Sequence, residues 1–191
     1  RDVLLALVPA LLASLWFFGF NAFVVIVACC LSAVAFEVFC QKIMQRPVTI
    51  RDGSALLTGL LLAFCLPPTL SPVLAVFGSF CAIVIGKQVF GGLGNNIFNP
   101  AHIGRAILLA SMPQQMTTWT QPIDWDLAAP TTADAVTSAT PLALLRQMES
   151  LWQGGSTAAI DTALQQLPSL EQLFIGNTSG SIGETSVPAL L

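Results

Sequence analysis

Charge is scarce in this sequence. Across 191 residues only 9% are Asp, Glu, Lys or Arg, while 54% are hydrophobic. Ordinary soluble domains carry about 25% charged residues, and a fraction this low cannot cover a water-exposed surface. A soluble enzyme and a disordered tail are excluded on that ground. Basic charge is scarcer still, with 7 Lys and Arg against 10 Asp and Glu and a formal net charge of −3. No basic footprint for a phosphate backbone exists, so nucleic acid is not expected as a partner.

Metal-ligating and nucleophilic residues are also few. There is 1 histidine, His102, with no second histidine to share a metal and no neighbouring carboxylate for a catalytic triad. The 5 cysteines, Cys29, Cys30, Cys40, Cys65 and Cys81, all lie in apolar runs without a C-x-x-C pair, so they read as small buried hydrophobes. The chain opens Arg1-Asp2 without methionine and closes inside the apolar stretch Val187 to Leu191. It is therefore expected to be part of a longer polypeptide. A cleavable signal peptide is not expected, because no small-residue cleavage site followed by a soluble domain appears.

Long apolar runs are what the sequence does have. A helix crosses the roughly 30 Å hydrocarbon core with about 20 apolar residues. Five candidate spans follow, at residues 3–18, 22–40, 54–66, 73–89 and 101–112, with a turn at Gly19-Phe20-Asn21. The third run is short and is stopped by Pro67-Pro68, and the fifth is short as well. Short helices with Gly/Pro breaks mark the discontinuous helices of transporter-like folds. The fold class expected is all-α: a polytopic membrane protein, with short broken helices and an extramembrane helical loop. Residues 1–112 form the membrane part, 113–176 the polar loop and 177–191 the start of a second membrane half. Within the loop, residues 141–153 read as an amphipathic helix with Leu145, Met148 and Trp152 at helical spacing, and residues 158–167 as a second short helix.

Charge placement orients the chain. With the segment 41–53 on the cytoplasmic side, Arg1, Lys42, Arg46, Arg51, Lys87 and Arg105 lie on or near the inner face and only Arg146 lies outside. The loop 113–176 is then external. A faint internal echo links Gly53-Ser54-x-x-x-Thr58-Gly59 with Gly180-Ser181-x-x-x-Thr185-Ser186, as structural repeats in transporter folds do.

Two stretches carry candidate chemistry. The first runs from Lys87 to Pro100 and includes Gly91, Gly92, Gly94, Asn95, Asn96 and Asn99. Its glycines permit positive φ and its asparagines offer polar groups where lipid offers none. It reads equally as a ligand site and as an interfacial loop. The second is Thr137-Ser138-Ala139-Thr140-Pro141, where Thr140 is a natural N-cap and Pro141 a natural first helical residue. A phosphate ester on the Thr140 hydroxyl would sit where the helix N–H groups point. Elsewhere, Glu37 reads as an interfacial or snorkelling carboxylate near the basic loop, and Glu184 as a first-turn helix carboxylate. Trp119, Trp125 and Trp152 read as interface anchors, and His102 and Arg105 as helix-end residues.

The run Gly53 to Leu62, Pro67-Pro68, Gly86-Lys87-Gln88, Gly91-Gly92-Leu93-Gly94-Asn95-Asn96-Ile97-Phe98-Asn99-Pro100-Ala101, Thr137 to Leu142 and Gly180 to Ser186 together resemble the D subunit (RnfD) of the bacterial Rnf ion-translocating electron-transport complex. The B subunit of the sodium-pumping NADH:quinone reductase is a related class. The resemblance implies about ten membrane helices in two inverted halves, of which this chain is the first half with its outer loop. It implies FMN held covalently as a phosphodiester on the last threonine of the motif, here Thr140, with Thr137, Ser138 and Ala139 completing the motif. Ser138 stands where many relatives carry glycine and keeps the position small. Also implied are an external flavin transferase, the other Rnf subunits (A, B, C, E and G) as partners, the bacterial inner membrane as location, and a non-covalent riboflavin in some relatives. Asn95, Asn96 and Asn99 are the candidates for such a second flavin or for an ion. The function so implied is electron transfer coupled to Na+ or H+ movement. The rival functions are a small-solute channel built on the broken helices and a scaffold subunit.

Overall fold

The computed structural model describes residues 2–122, 139–153, 164 and 167–191. Among these, every regular element is helical. The elements run α1 (Asp2–Ala6), α2 (Val8–Ile43), a 3-10 turn (Ile50–Asp52), α3 (Ser54–Phe64), α4 (Pro72–Phe80), a π-helical segment (Cys81–Gln88), α5 (Pro100–Ser111), α6 (Pro113–Met116), α7 (Pro141–Gln153), α8 (Leu170–Ile175) and α9 (Val187–Leu190).

Among the described residues, one helical stretch, Asp2–Ile43, is long and apolar enough to cross a membrane. It is not straight. Gly19 inside α2 has φ 57° and ψ −139°, a conformation that a side chain would oppose and glycine accepts. The expected turn at Gly19-Phe20-Asn21 is thus a one-residue break. After it, the buried positions are Ala22, Val25, Ile26, Cys29, Ser32, Ala33, Glu37 and Gln41. They recur every three or four residues and form one inward stripe. Phe20, Leu31, Phe39 and Ile43 on the other side are exposed.

Close packing against that stripe depends on small residues, as at helix interfaces in lipid. A Cβ on Gly59 of α3 would stand 2.7 Å from the Cys29 carbonyl and 2.9 Å from the Cys30 Cα. A Cβ on Gly104 of α5 would stand 2.6 Å from the Gly78 carbonyl of α4. Ser79 of α4, fully buried, donates its hydroxyl to Cys29 O at 3.3 Å and to Ala75 O at 3.0 Å. The main core gathers Ala22, Val25, Cys29, Leu62, Leu66, Ala75, Ala82 and Leu108.

Helix α3 stops at Phe64, just before the Pro67-Pro68 pair. Carbonyls at its end and just beyond are met from far along the chain: Gly183 N–H donates to Phe64 O at 3.0 Å and Ile182 N–H to Leu66 O at 3.1 Å. A Cβ at Gly183 would collide with Phe64, so glycine is needed for this approach. Helix α7 occupies its expected range, but its buried residue is Leu144 rather than Leu145, which is 49% exposed. The expected helix at 158–167 lies mostly outside the described residues.

Candidate functional site

Glu37 is not an interfacial carboxylate. Its side chain is 2% exposed, and Lys87 beside it is 1% exposed. Lys87 Nζ donates to Glu37 Oε1 at 2.8 Å and Oε2 at 2.7 Å, and to Ser54 Oγ at 2.6 Å. Three elements therefore converge. Helix α2 supplies Glu37 from its inward stripe. The π-helical segment supplies Lys87; its wider turn resets the angular register that an α-helix would have continued. The start of α3 supplies Ser54.

Further hydrogen bonds satisfy the pair. Gln41, one turn after Glu37, donates Nε2 to Glu37 Oε1 at 3.2 Å and to Thr49 Oγ1 at 2.9 Å, and its Oε1 accepts from Thr49 N at 3.0 Å. Ser54 Oγ donates to Asp52 Oδ1 at 2.8 Å. A continuous polar chain thus runs from exposed Asp52 through Ser54 to the buried pair. Two charges removed from water persist only when paired and hydrogen-bonded in this way. Sequence reasoning missed the pair because its members lie 50 positions apart. The available signal was charge of opposite sign at the ends of two apolar runs, each costly at membrane depth without a partner.

The glycine and asparagine stretch lies beside this end of α3. Gly91, Gly92 and Gly94 have φ of +113°, +97° and +91°. Arg46 Nη1 donates to the Gly91 carbonyl at 2.9 Å, fastening the stretch to the segment that follows α2. Asn99 has a structural role, since its side chain accepts from Ala101 N at 3.0 Å and caps α5, with Pro100 at the first helical position. Asn95 is exposed and lies against Gly91. Asn96 differs, because its Oδ1 is buried without a hydrogen-bond partner, as is Nε2 of Gln88.

Thr140 is linked to the opposite end of α3 through Ser179. Its Oγ1 accepts from Ala143 N at 3.2 Å and its carbonyl from Leu144 N at 3.1 Å, the bonds expected of an N-cap on α7. The preceding carbonyl, Ala139 O, accepts from Ser179 Oγ at 3.0 Å. Ser179 is followed closely by Ile182 and Gly183, which dock on Leu66 and Phe64 at the end of α3. Thr140 is half-buried and Ala139 is exposed. Pro141 has no N–H, and Ala143 N and Leu144 N already bond to Thr140, so a phosphate ester on Oγ1 would meet the Leu142 N–H and the dipole of a 13-residue helix. Thr137, Ser138 and Trp125 lie outside the described residues.

The structure thus keeps Asn95, Asn96 and Asn99 near one end of α3 and links Thr140 to the other through Ser179. The 11-residue helix between them rises about 16 Å. Glu184 sits in the turn before α9 rather than in its first turn, and its carboxylate is 4.0 Å from Arg105 with both groups partly open to solvent. His102 and Trp152 are exposed, and Trp119 is half-buried.

The family model described as NQR2, RnfD, RnfE matches residues 1–191. The chain belongs to the NQR2, RnfD, RnfE family. The D subunit of the proton-translocating ferredoxin:NAD(+) oxidoreductase complex of Clostridium ljungdahlii is 46% identical over 190 residues, covering 100% of this chain and 54% of the relative. The D subunit of the Na(+)-translocating ferredoxin:NAD(+) oxidoreductase complex of Acetobacterium woodii is 41% identical over 191 residues, covering 100% and 54%. The D subunit of the ion-translocating oxidoreductase complex of Rhodobacter capsulatus is 40% identical over 203 residues, covering 98% and 55%. The chain spans about half the length of these relatives.

Proposed function

We propose that the chain is the flavin-bearing half of an electron-transfer membrane subunit, with FMN joined through its phosphate to Thr140. The carrying observation is the placement of the Thr140 hydroxyl at the mouth of α7, with the adjoining peptide tied to Ser179. FMN, when attached, accepts and passes one or two electrons. The protein's part is placement. The first turn of α7 favours the phosphodiester charge, Leu144 on that helix is buried, and the Ser179 strap ties the peptide before the bearing residue to the segment docked on the end of α3.

The electron transfer serves redox-driven ion movement in a complex with other Rnf-type subunits, a function supported by the names of the relatives. Helices α2 to α5 with the π-helical segment belong to a polytopic half-bundle in the bacterial inner membrane, repeated in inverted form in the rest of the polypeptide. Loop 113–176 faces outward, where a flavin transferase acts. The apolar stretch Asp2–Ile43 supports the membrane setting. Lys42, Arg46, Arg51 and Lys87 lie toward the Ser54 end of α3 and support this orientation, whereas Arg105, expected with them, lies by Glu184 near the other end. The buried, unpartnered Asn96 Oδ1 favours a second, non-covalent polar ligand, riboflavin or an ion, at the glycine and asparagine stretch.

Mass spectrometry of the intact subunit tests the attachment. Wild type should carry the added mass of FMN and Thr140→Ala should lack it. An unmodified wild type, or a modified Thr140→Ala, overturns the assignment.

A further inference from the structure

We propose that Ser179 is the positioning residue for flavin attachment, an inference that rests on Thr140 bearing the FMN. Ser179 Oγ donates to the carbonyl of Ala139 at 3.0 Å. That carbonyl belongs to the peptide unit whose nitrogen is that of Thr140. Holding its oxygen fixes the peptide plane, and with it the direction in which the Thr140 side chain leaves the backbone. On the other side, Ala143 N and Leu144 N bind Oγ1 and O of Thr140. The residue is held from both directions.

The strap has a firm anchor. Ser179 is 9% exposed, whereas Ala139 beside it is exposed. Three and four residues on, the N–H groups of Ile182 and Gly183 bind the carbonyls of Leu66 and Phe64. One hydroxyl, 40 positions on from Ala139, therefore ties the peptide before Thr140 to the segment docked on the end of α3. Without it, α7 keeps its own cap and its buried Leu144, but the peptide before Thr140 loses its tether.

Attachment is phosphoryl transfer and needs an activated donor, a flavin nucleotide with a phosphoanhydride bond. The Thr140 Oγ1–P bond forms and the anhydride P–O bond breaks. The nucleoside monophosphate leaves with the bonding pair, and the Thr140 proton passes to a base of the transferase or to water. Such transfers depend on holding the attacking oxygen in line. A hydroxyl on an untethered peptide spends less time in that geometry.

The test uses the full-length subunit in its complex, expressed with its transferase. Covalent flavin is read as in-gel fluorescence per polypeptide during a timed induction, beside the membrane abundance of the subunit. Ser179→Ala should slow incorporation about threefold to tenfold, the range that one hydrogen bond supplies, at unchanged abundance. Ser179→Thr, which keeps the hydroxyl, should restore the rate. Wild-type incorporation by Ser179→Ala, or failure of Ser179→Thr to restore it, overturns the role of Ser179 and leaves attachment at Thr140 intact. A wild type without covalent flavin, or a Thr140→Ala variant that retains it, overturns the attachment reading and this inference together.

Discussion

Lys87 and Glu37 meet 2.7 Å apart with both side chains almost wholly enclosed. The pair joins α2 to the π-helical segment, and Ser54 adds the start of α3. Opposite ends of α3 thus meet different parts of the chain. Its first residue touches the ion pair, and its last carbonyls hold the segment that straps Thr140.

Removing one member of the pair leaves a charge enclosed without its partner, which costs about 3–5 kcal/mol. Lys87→Met and Glu37→Gln should each lower the melting temperature of the purified subunit sharply. The double variant should recover much of the loss, and a double-mutant cycle measures the coupling. Additive single effects would show that the two groups do not interact.

Ser54→Ala removes the third acceptor from the Lys87 ammonium while leaving Glu37 in place. Hydrogen bonds to charged groups contribute about 1.5–3 kcal/mol. The variant should lie between wild type and Lys87→Met in thermal denaturation, and in a Lys87→Met background its effect should shrink to the loss of the exposed Ser54–Asp52 bond.

Glycine substitutions should divide into two classes. Gly59→Ala forces a methyl to 2.7 Å from the Cys29 carbonyl, and overpacking of this kind costs about 1–3 kcal/mol. Gly94→Ala meets nothing within 4 Å but has a φ of +91°, so it carries only backbone strain. Gly59→Ala should therefore weaken α2–α3 packing, read as loss of stability in detergent. Gly94→Ala should act locally on the loop.

Thr140→Ala should remove covalent flavin and also the cap of α7, at about 1 kcal/mol. Thr140→Ser keeps both the hydroxyl oxygen and the cap bond. It should retain stability, and in-gel fluorescence then reports whether a serine hydroxyl serves as attachment point. A Thr140→Asn variant, capped but without a hydroxyl, should be stable and flavin-free.

Asn99 and Asn96 should separate structure from ligand. Asn99→Ala loses the cap on α5 and should destabilise by about 0.5–2 kcal/mol. Asn96→Ala breaks no hydrogen bond of Oδ1. It should leave stability unchanged and lower the content of non-covalent flavin or ion, measured after mild extraction.

Helices, their breaks and the cap at Thr140 follow from the sequence by itself, because each is local. Apolar runs set helix length, Gly19 and Pro67-Pro68 interrupt them, and a threonine before a proline starts α7. Family membership was legible for the same reason, being carried by contiguous motifs. Only the tertiary structure decided which charged residues are buried and which straps hold the loop. Glu37 reads as interfacial in the sequence because position along the run gives depth but not direction. Its place on the inward stripe of α2 depends on which face α3 and the π-helical segment cover, and a helix apolar all round conceals that face. The Ser179–Ala139 bond likewise joins segments 40 positions apart. No local pattern encodes such a contact, since it forms only when the end of α3 accepts Ile182 and Gly183.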